Sequence, residues 1–346
     1  SPRQAGHCTN PTGSRAALVQ KDVKRMTPDK TIRVIIGPTA SGKAALSERI
    51  APLLNAEIIS MDSMKIYRYM DIGTAKPYPD VRARIPHHQM DILDPSESYS
   101  VAQYVEDALR IADEITARGR VPVFSGGTAL YFKGITEGIF EGPPPDEALR
   151  DELKAEAERD GVASLLSKLA AVDPESATRI QSNDVRRIVR ALEVYRKTGV
   201  TISSLQTQFG KGRPGYRFLT LGVLPEREHC YERCDIRVDR MQRKGLAAEA
   251  RNVFERFPCL GKGPRQAVGY KEFFDVFEGK SAIEQVYAQI KLDTRHFARR
   301  QYMWFRKFTT VKWVPMMRGD DVERLLRRCQ VDYPEFFSSD DAPARP

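Results

Sequence analysis

The chain has 346 residues, 41% hydrophobic and 29% charged, ordinary globular proportions that exclude wholesale disorder and fibrous repeats. No apolar run approaches the roughly 18 residues of a bilayer span, and the N-terminus lacks the apolar centre of a signal peptide, so a cytoplasmic protein without membrane contact is expected. Lys and Arg outnumber Asp and Glu by 55 to 46, a net charge of +9 that suits a polyanionic partner without naming it.

Residues 1–30 mix Pro, Gly, Ser and charges without apolar periodicity and read as a mobile tail. A short apolar run at 31–36 stops at Gly37-Pro38 and reads as a buried strand. Leu46, Ile50, Leu53 and Leu54 then recur at helical spacing behind Lys43, and Pro52 marks where that helix ends or kinks. Residues 57–61 form a second buried strand ending at Asp62. Helix 101–118 carries Val101, Tyr104, Val105, Ala108, Leu109 and Ala112 on one face, and a third strand at 121–124 runs into Ser125-Gly126-Gly127-Thr128. Strand, helix, strand is the order of a parallel sheet, whose ligands sit at the carboxyl ends of the strands. That rule gathers Gly37 to Ala44, Asp62 and Thr128 around one crevice.

Pro143 to Pro145 break the pattern, and 146–200 read as charged helices with almost no strand signal. Residues 216–224 return to strand character, the chain beyond is mainly helical to about 308, and 309–314 form a last strand. The expected fold class is α/β, a P-loop NTPase-like parallel sheet flanked by helices with a helical insertion domain. Its divisions are a tail at 1–30, a core at 31–140 and 206–336 that includes the C-terminal helices, an insertion at 141–205 and a frayed end at 337–346. Cysteines at 8, 230, 234, 259 and 329 are odd in number and lack CxxC pairs, so reduced structural thiols are expected rather than disulfides or a zinc site.

Gly37-Pro38-Thr39-Ala40-Ser41-Gly42-Lys43 follows a strand and opens a helix, the context a phosphate-binding P-loop requires. Such a loop turns successive N–H groups and a helix N-terminus onto phosphate oxygens, and the lysine adds a mobile charge. Next the motif expects Ser or Thr as a Mg²⁺ ligand, and here stands Ala44. Either a Mg²⁺ site near Ser41 and Ala44 uses the hydroxyls of Thr39 or Ser41 and water, or metal affinity is reduced. A kinase or ATPase would usually carry an acid at the end of a second core strand. The strand at 121–124 ends in Ser-Gly-Gly-Thr instead, and the acid stands at Asp62, a position equally suited to a helix cap.

GPTASGK from Gly37, ISMDSMKIY from Ile59, MDIGTAKP from Met70, SGGTALYF from Ser125, NDVRRIVRALEVY from Asn183, AVGYKE from Ala267 and TRHFARRQYMWFRK from Thr294 occur in the order typical of tRNA dimethylallyltransferases. From about residue 32 to 316 the chain resembles that family, the tRNA isopentenyltransferases or IPP transferases. The resemblance implies transfer of a dimethylallyl group from dimethylallyl diphosphate to N6 of the adenosine at position 37, next to the tRNA anticodon, with Mg²⁺ as cofactor and the enzyme as a monomer. It makes Asp62 the general base, gives Lys43 and Arg237 the departing diphosphate, and sets Thr128 near the reacting base. Removal of an amine proton is needed because the exocyclic lone pair of adenine is delocalised into its ring.

The resemblance also implies contacts to the tRNA anticodon stem-loop from Asp62, Ser63, Met64, Lys65, Thr128, Arg150, Arg186, Arg187, Ile188, Val189 and Arg190. Further contacts are implied for Gln266, Ala267, Val268, Gly269, Tyr270 and Lys271, and for Arg299, Arg300, Gln301, Tyr302, Met303, Trp304, Phe305 and Arg306. Residues 291–328 hold 11 basic and 4 acidic residues. On a helical projection Val286, Ile290, Phe297, Trp304 and Phe308 form an apolar stripe, opposite Lys291, Arg295, Arg299 and Arg306. A charge run can also be a merely solvated face, and Gly269 and Tyr270 could equally be turn and core. Competing functions are an isopentenyltransferase acting on free adenine nucleotides, a P-loop small-molecule kinase or ATPase, and a non-catalytic tRNA binder.

Overall fold

The computed structural model describes residues 30–140, 142–206 and 211–338, so the expected N-terminal tail, apart from Lys30, lies outside the described residues. In chain order it forms β1 (Lys30–Ile36), α1 (Lys43–Leu53), β2 (Ala56–Met61), α2 (Pro79–Arg84), β3 (His87–His88), α3 (Val101–Ala117), β4 (Val121–Gly126) and α4 (Ala129–Glu137). Five helices follow, α5 (Glu147–Asp160), α6 (Val162–Val172), α7 (Pro174–Arg179), α8 (Val185–Thr198) and α9 (Ile202–Leu205). The chain then returns through β5 (Tyr216–Pro225), α10 (Arg227–Arg243), α11 (Leu246–Arg256), α12 (Lys262–Arg265), α13 (Lys271–Phe277), α14 (Val286–Phe305), β6 (Val311–Met316) and α15 (Val322–Asp332).

The six strands make one parallel sheet in the order β3-β2-β4-β1-β5-β6. β1 holds mostly β-branched residues, and its alternation sends Ile35 to one face and Val34 and Ile36 to the other, all three without solvent exposure. A parallel sheet covered on both faces reads as such a continuous apolar run. Ile35 packs with Leu46 and Ile50 of α1 and with Leu325 of α15, whereas Val34 and Ile36 join Tyr104 of α3, Phe132 of α4 and Phe305 of α14. Arg33 is the exception in β1. Its buried guanidinium donates to the carbonyls of Phe336 at 2.8 Å and Ser338 at 2.7 Å, which ties the C-terminal segment to the sheet.

Helices α5 to α9 enclose a separate apolar cluster that includes Leu153, Leu165, Ile188 and Leu192. A third cluster joins Ile66, Tyr67 and Met70, just after β2, to Val238, Leu246, Phe274 and Ile290 of the C-terminal helices. The expected apolar stripe on α14 needs correction. The buried face is Val286, Ile290, Thr294, Ala298, Gln301 and Phe305, while Phe297 remains 39% exposed. Ala298 contacts the buried Cys230 and Cys234 of α10, an approach that suits a small side chain better than a ring. Sequence patterning also gave no account of β3 or α15. No helix among the described residues is long and apolar enough to cross a membrane.

Candidate active site

β1 lies between β4 and β5, with Ile36 level with Gly126 and Gly222, and Met61 of β2 level with Gly126 from the other side. The chain winds first towards β2 and then crosses to β5, so the end of β1 is the topological switch point where ligands of such sheets bind. Three loops meet there: 37–42 after β1, Asp62 to Lys65 after β2, and Gly127-Thr128 after β4.

The loop at 37–42 turns through two left-handed positions, Ala40 at φ 61° and Gly42 at φ 90°. Gly42 adopts its φ at little cost, but Ala40 is a residue type that avoids that region. Arg233 of α10 compensates, its Nε donating to the Ala40 carbonyl at 2.7 Å. The Thr39 N–H donates to Gln301 Oε1 at 2.7 Å, and Gln301 Nε2 donates to the Gly127 carbonyl at 2.8 Å. Lys43 Nζ donates to the Pro38 carbonyl at 3.0 Å, which lays the side chain back across the loop.

Asp62 Oδ1 accepts the Met64 N–H at 2.9 Å and, at 3.4 Å, that of Lys65. This carboxylate does cap a turn, but with one oxygen, and among the described residues Oδ2 takes no hydrogen bond. Thr128 Oγ1 accepts the Ser63 N–H at 3.0 Å, and the Thr128 N–H donates to the Met61 carbonyl at 3.1 Å, so the ends of β2 and β4 are stitched together beside Asp62.

Electrostatics place Asp62 with the phosphate loop. Burial first, and then the charge of Arg237, pull the Lys43 ammonium down to about 7, against the field of Asp62, which raises it. Burial likewise lowers Lys65, with Asp62 opposing and Arg237 adding to the shift, and lowers Arg237, again opposed by Asp62. Three desolvated cations thus surround one carboxylate in a space with too little negative charge. An incoming polyanion would reverse the strain on all three.

The remaining expected residues separate by exposure. Arg186, Arg187, Gln266, Arg299, Arg300, Met303 and Arg306 present exposed side chains, and Arg187 also pairs with Asp184 at 2.9 Å. Val268, Tyr302 and Trp304 are partly covered. Arg150 and Arg190 instead grip the fully buried Glu193, through Arg150 Nε at 3.0 Å and Arg190 at 2.6 Å. Burial alone would raise the Glu193 carboxyl, but Arg190, the Asp146 N–H and Arg150 together hold it below its ordinary value. Ile188, Val189, Ala267, Tyr270 and Phe305 belong to the core, so their side chains pack rather than reach a ligand. Gly269 makes a turn at φ 95°, its N–H held by Glu272 at 2.8 Å, and Lys271 is paired with Asp293 at 2.6 Å. Lys291 and Arg295, also on α14, pair with Asp239 and Asp235 of α10, so neither is a purely solvated charge.

Sequence reasoning missed Arg233 and Glu249. Glu249 of α11 accepts the N–H groups of Asp71 at 3.0 Å, Ile72 at 2.9 Å and Gly73 at 3.1 Å, as well as the Tyr270 hydroxyl at 2.6 Å, which organises the loop after β2. No local signal marks these residues, because Arg233 reaches Ala40 and Glu249 reaches the 71–73 loop across more than 150 residues.

For a divalent cation the protein offers few oxygens. Ser41 Oγ is buried without a hydrogen-bond partner, Asp62 has one uncommitted oxygen, and Ala44 is exposed and contributes none. No group of three or more His, Cys, Asp or Glu side chains suited to a metal occurs among the described residues. Such a donor set fits Mg²⁺ carried mainly by phosphate oxygens and water, its usual mode, rather than a protein cage.

Loop, carboxylate and cations on the carboxyl edge of a parallel sheet define a P-loop α/β protein with an anion cradle next to a carboxylate. The family model described as IPP transferase matches residues 65–308, beginning just after Asp62. The chain is 46% identical over 280 residues, 81% of its own length and 90% of the relative's, to the tRNA dimethylallyltransferase of Thermotoga neapolitana. It is 43% identical over 303 residues to that of Thermotoga maritima, covering 87% of this chain and 98% of the relative. Among solved structures it superposes on the full-length tRNA isopentenylpyrophosphate transferase of Bacillus halodurans with a TM-score of 0.65 at 36% identity, over 88% of this chain and 96% of that one. A eukaryotic dimethylallyltransferase acting on tRNA gives 0.72 at 27% identity, over 88% and 77% of the two chains. The chain belongs to the IPP transferase family.

Proposed function

We propose that the protein transfers a dimethylallyl group from dimethylallyl diphosphate to N6 of adenosine 37 in tRNA, releasing diphosphate. The observation that carries this reading is the shared field of Asp62, Lys43, Lys65 and Arg237, an acceptor for a proton set among donors for an anion. Loop amides, Lys43 and Arg237 take the negative charge as the allylic C–O bond breaks and its electron pair leaves with diphosphate. The N6 lone pair forms the new N–C bond, and the Asp62 carboxylate receives the N6 proton, so charge and atoms balance. Mg²⁺, when bound, would supply further neutralisation of the diphosphate, with Ser41 Oγ as the available protein oxygen, since the free oxygen of Asp62 is assigned to the N6 proton.

The RNA would lie across the exposed arginines of α8 and α14, which belong to separate lobes, as a clamp on an anticodon stem-loop would require. A loop adenine can be presented at lower cost than one in a duplex, because fewer stacked and paired contacts are broken. Residues 141–205 then serve as the RNA-gripping insertion, and 31–140 with 206–336 as the catalytic core. A nucleotide-directed transferase would not need that second basic face. The reading is tested by incubating the protein with undermodified tRNA, Mg²⁺ and dimethylallyl diphosphate and measuring the masses of the digested nucleosides. Gain of one dimethylallyl unit on adenosine supports it; unmodified tRNA alongside a modified free nucleotide, or phosphate release from ATP, overturns it.

A further inference from the structure

Gln301 sits on α14 between two exposed arginines and an exposed methionine, yet its own side chain is only 7% exposed and turns inwards to the phosphate loop. We propose that Gln301 is a positioning residue for the diphosphate site, a strut that fixes loop 37–42 against the end of β4. The proposal rests on the reading of that loop as the diphosphate site and adds a role for a side chain that does not touch the substrate.

The chemistry of the fork selects this residue type. The Thr39 N–H can only donate and the Gly127 carbonyl can only accept, so the group between them must accept at one end and donate at the other. A primary amide does both. The two bonds, 2.7 Å and 2.8 Å, then fix which end of the amide faces which partner. A carboxylate would set an oxygen against the Gly127 carbonyl, and an aliphatic chain would leave both groups unpaired in a buried place. Position 127 is matched to the strut, since a Cβ there would stand 2.4 Å from Gln301 Nε2. The glycine is needed for close approach rather than for its backbone angles.

Two consequences follow for the loop. The Thr39 amide is committed to Gln301, leaving the later amides and Lys43 to meet the anion. The strained turn at Ala40 is held from α10 by Arg233 while its neighbour is held from α14 by Gln301, so the loop is set before the ligand arrives and less ordering cost falls on binding.

The test titrates inorganic pyrophosphate with Mg²⁺, and separately an unmodified anticodon stem-loop RNA, into wild type, Gln301→Leu and Gln301→Glu, with thermal unfolding as a folding check. Both variants are expected to weaken pyrophosphate binding about tenfold, as loss of a buried hydrogen-bonded bridge implies, and to raise KM for dimethylallyl diphosphate by a similar factor. RNA affinity should stay within about twofold, because the exposed arginines are untouched. If Gln301→Leu does not fold, Gln301→Glu carries the comparison. Unchanged pyrophosphate affinity overturns the proposal, as does loss of RNA affinity alone, which would make Gln301 an RNA contact, or equal loss of both, which would make it general support. Failure of the wild type itself to bind pyrophosphate would remove the underlying reading of the loop.

Discussion

Thr128 Oγ1 accepts the N–H of Ser63 at 3.0 Å, joining the end of β4 to the residue that follows Asp62. The threonine thereby fixes where the carboxylate stands, whatever it does to the substrate. Replacing it with valine keeps the shape and leaves the Ser63 N–H without that partner, at a cost of about 1–3 kcal/mol. We expect Thr128→Val to lower Tm modestly and kcat more steeply, with KM for dimethylallyl diphosphate little changed. Steady-state kinetics beside a melting curve check this, and an equal kcat would show that the bond does not position Asp62.

Lys43 gives a pH signature. Its pKa is lowered to about 7 in the free protein by burial and Arg237, below its ordinary value of about 10.4. Below about pH 7 the ammonium is charged and attracts an anion. As pH rises through 7 the free protein loses that proton, so binding must take it up again and weakens by up to tenfold per unit until the pKa of the complex is reached. Lys43→Arg stays charged throughout this range. Pyrophosphate affinity of wild type relative to Lys43→Arg should therefore fall between pH 7 and pH 9, and a flat ratio would contradict the shift. The same shift bears on folding: the unfolded chain binds the extra proton between about 7 and 10, so this group's destabilising effect is full below 7 and is relieved as pH rises.

Ala44 is exposed in the first turn of α1, at the place where the P-loop motif puts a Mg²⁺-ligating hydroxyl. Ala44→Thr should lower the Mg²⁺ concentration needed for half-maximal transfer and leave the unfolding free energy within about 0.5 kcal/mol of wild type, the usual span for a surface change. A Mg²⁺ titration of initial rates decides the matter. No change would mean that the ion is held without help from this position.

The arginines divide into two experiments. Arg186→Ala with Arg187→Ala should leave stability intact and reduce the slope of log K against log salt for stem-loop binding by about one to two, the effect of losing phosphate contacts. Arg150→Ala removes a partner of buried Glu193 and should cost about 1.5–3 kcal/mol of stability, seen as a lower denaturation midpoint.

The sequence made most of the site legible because its parts are local. A strand ending in a glycine-rich loop, a helix opening at Lys43 and an acid ending the next strand each follow from a few adjacent residues. α14 shows where local reading fails. Hydrophobicity favoured Phe297 and Trp304 for the buried face, but the helix lies so near α10 and the loop that Ala298 and Gln301 are the residues that fit. Gln301 and Arg233 reach the loops after β1 and β4, and Glu249 the loop at 71–73, across at least 174 residues, apart in sequence and joined only by the fold. β3 is two residues long, too short for any periodicity to register.

Asp62→Asn tests the account most directly, because asparagine retains an oxygen for the Met64 N–H and removes only the basicity. Single-turnover transfer with dimethylallyl diphosphate and stem-loop RNA should slow by about 10²–10⁴-fold, with pyrophosphate and RNA affinities near those of wild type. A transfer rate equal to wild type would contradict the assignment of proton removal to this carboxylate, and with it the claim that cradle and base act as one site.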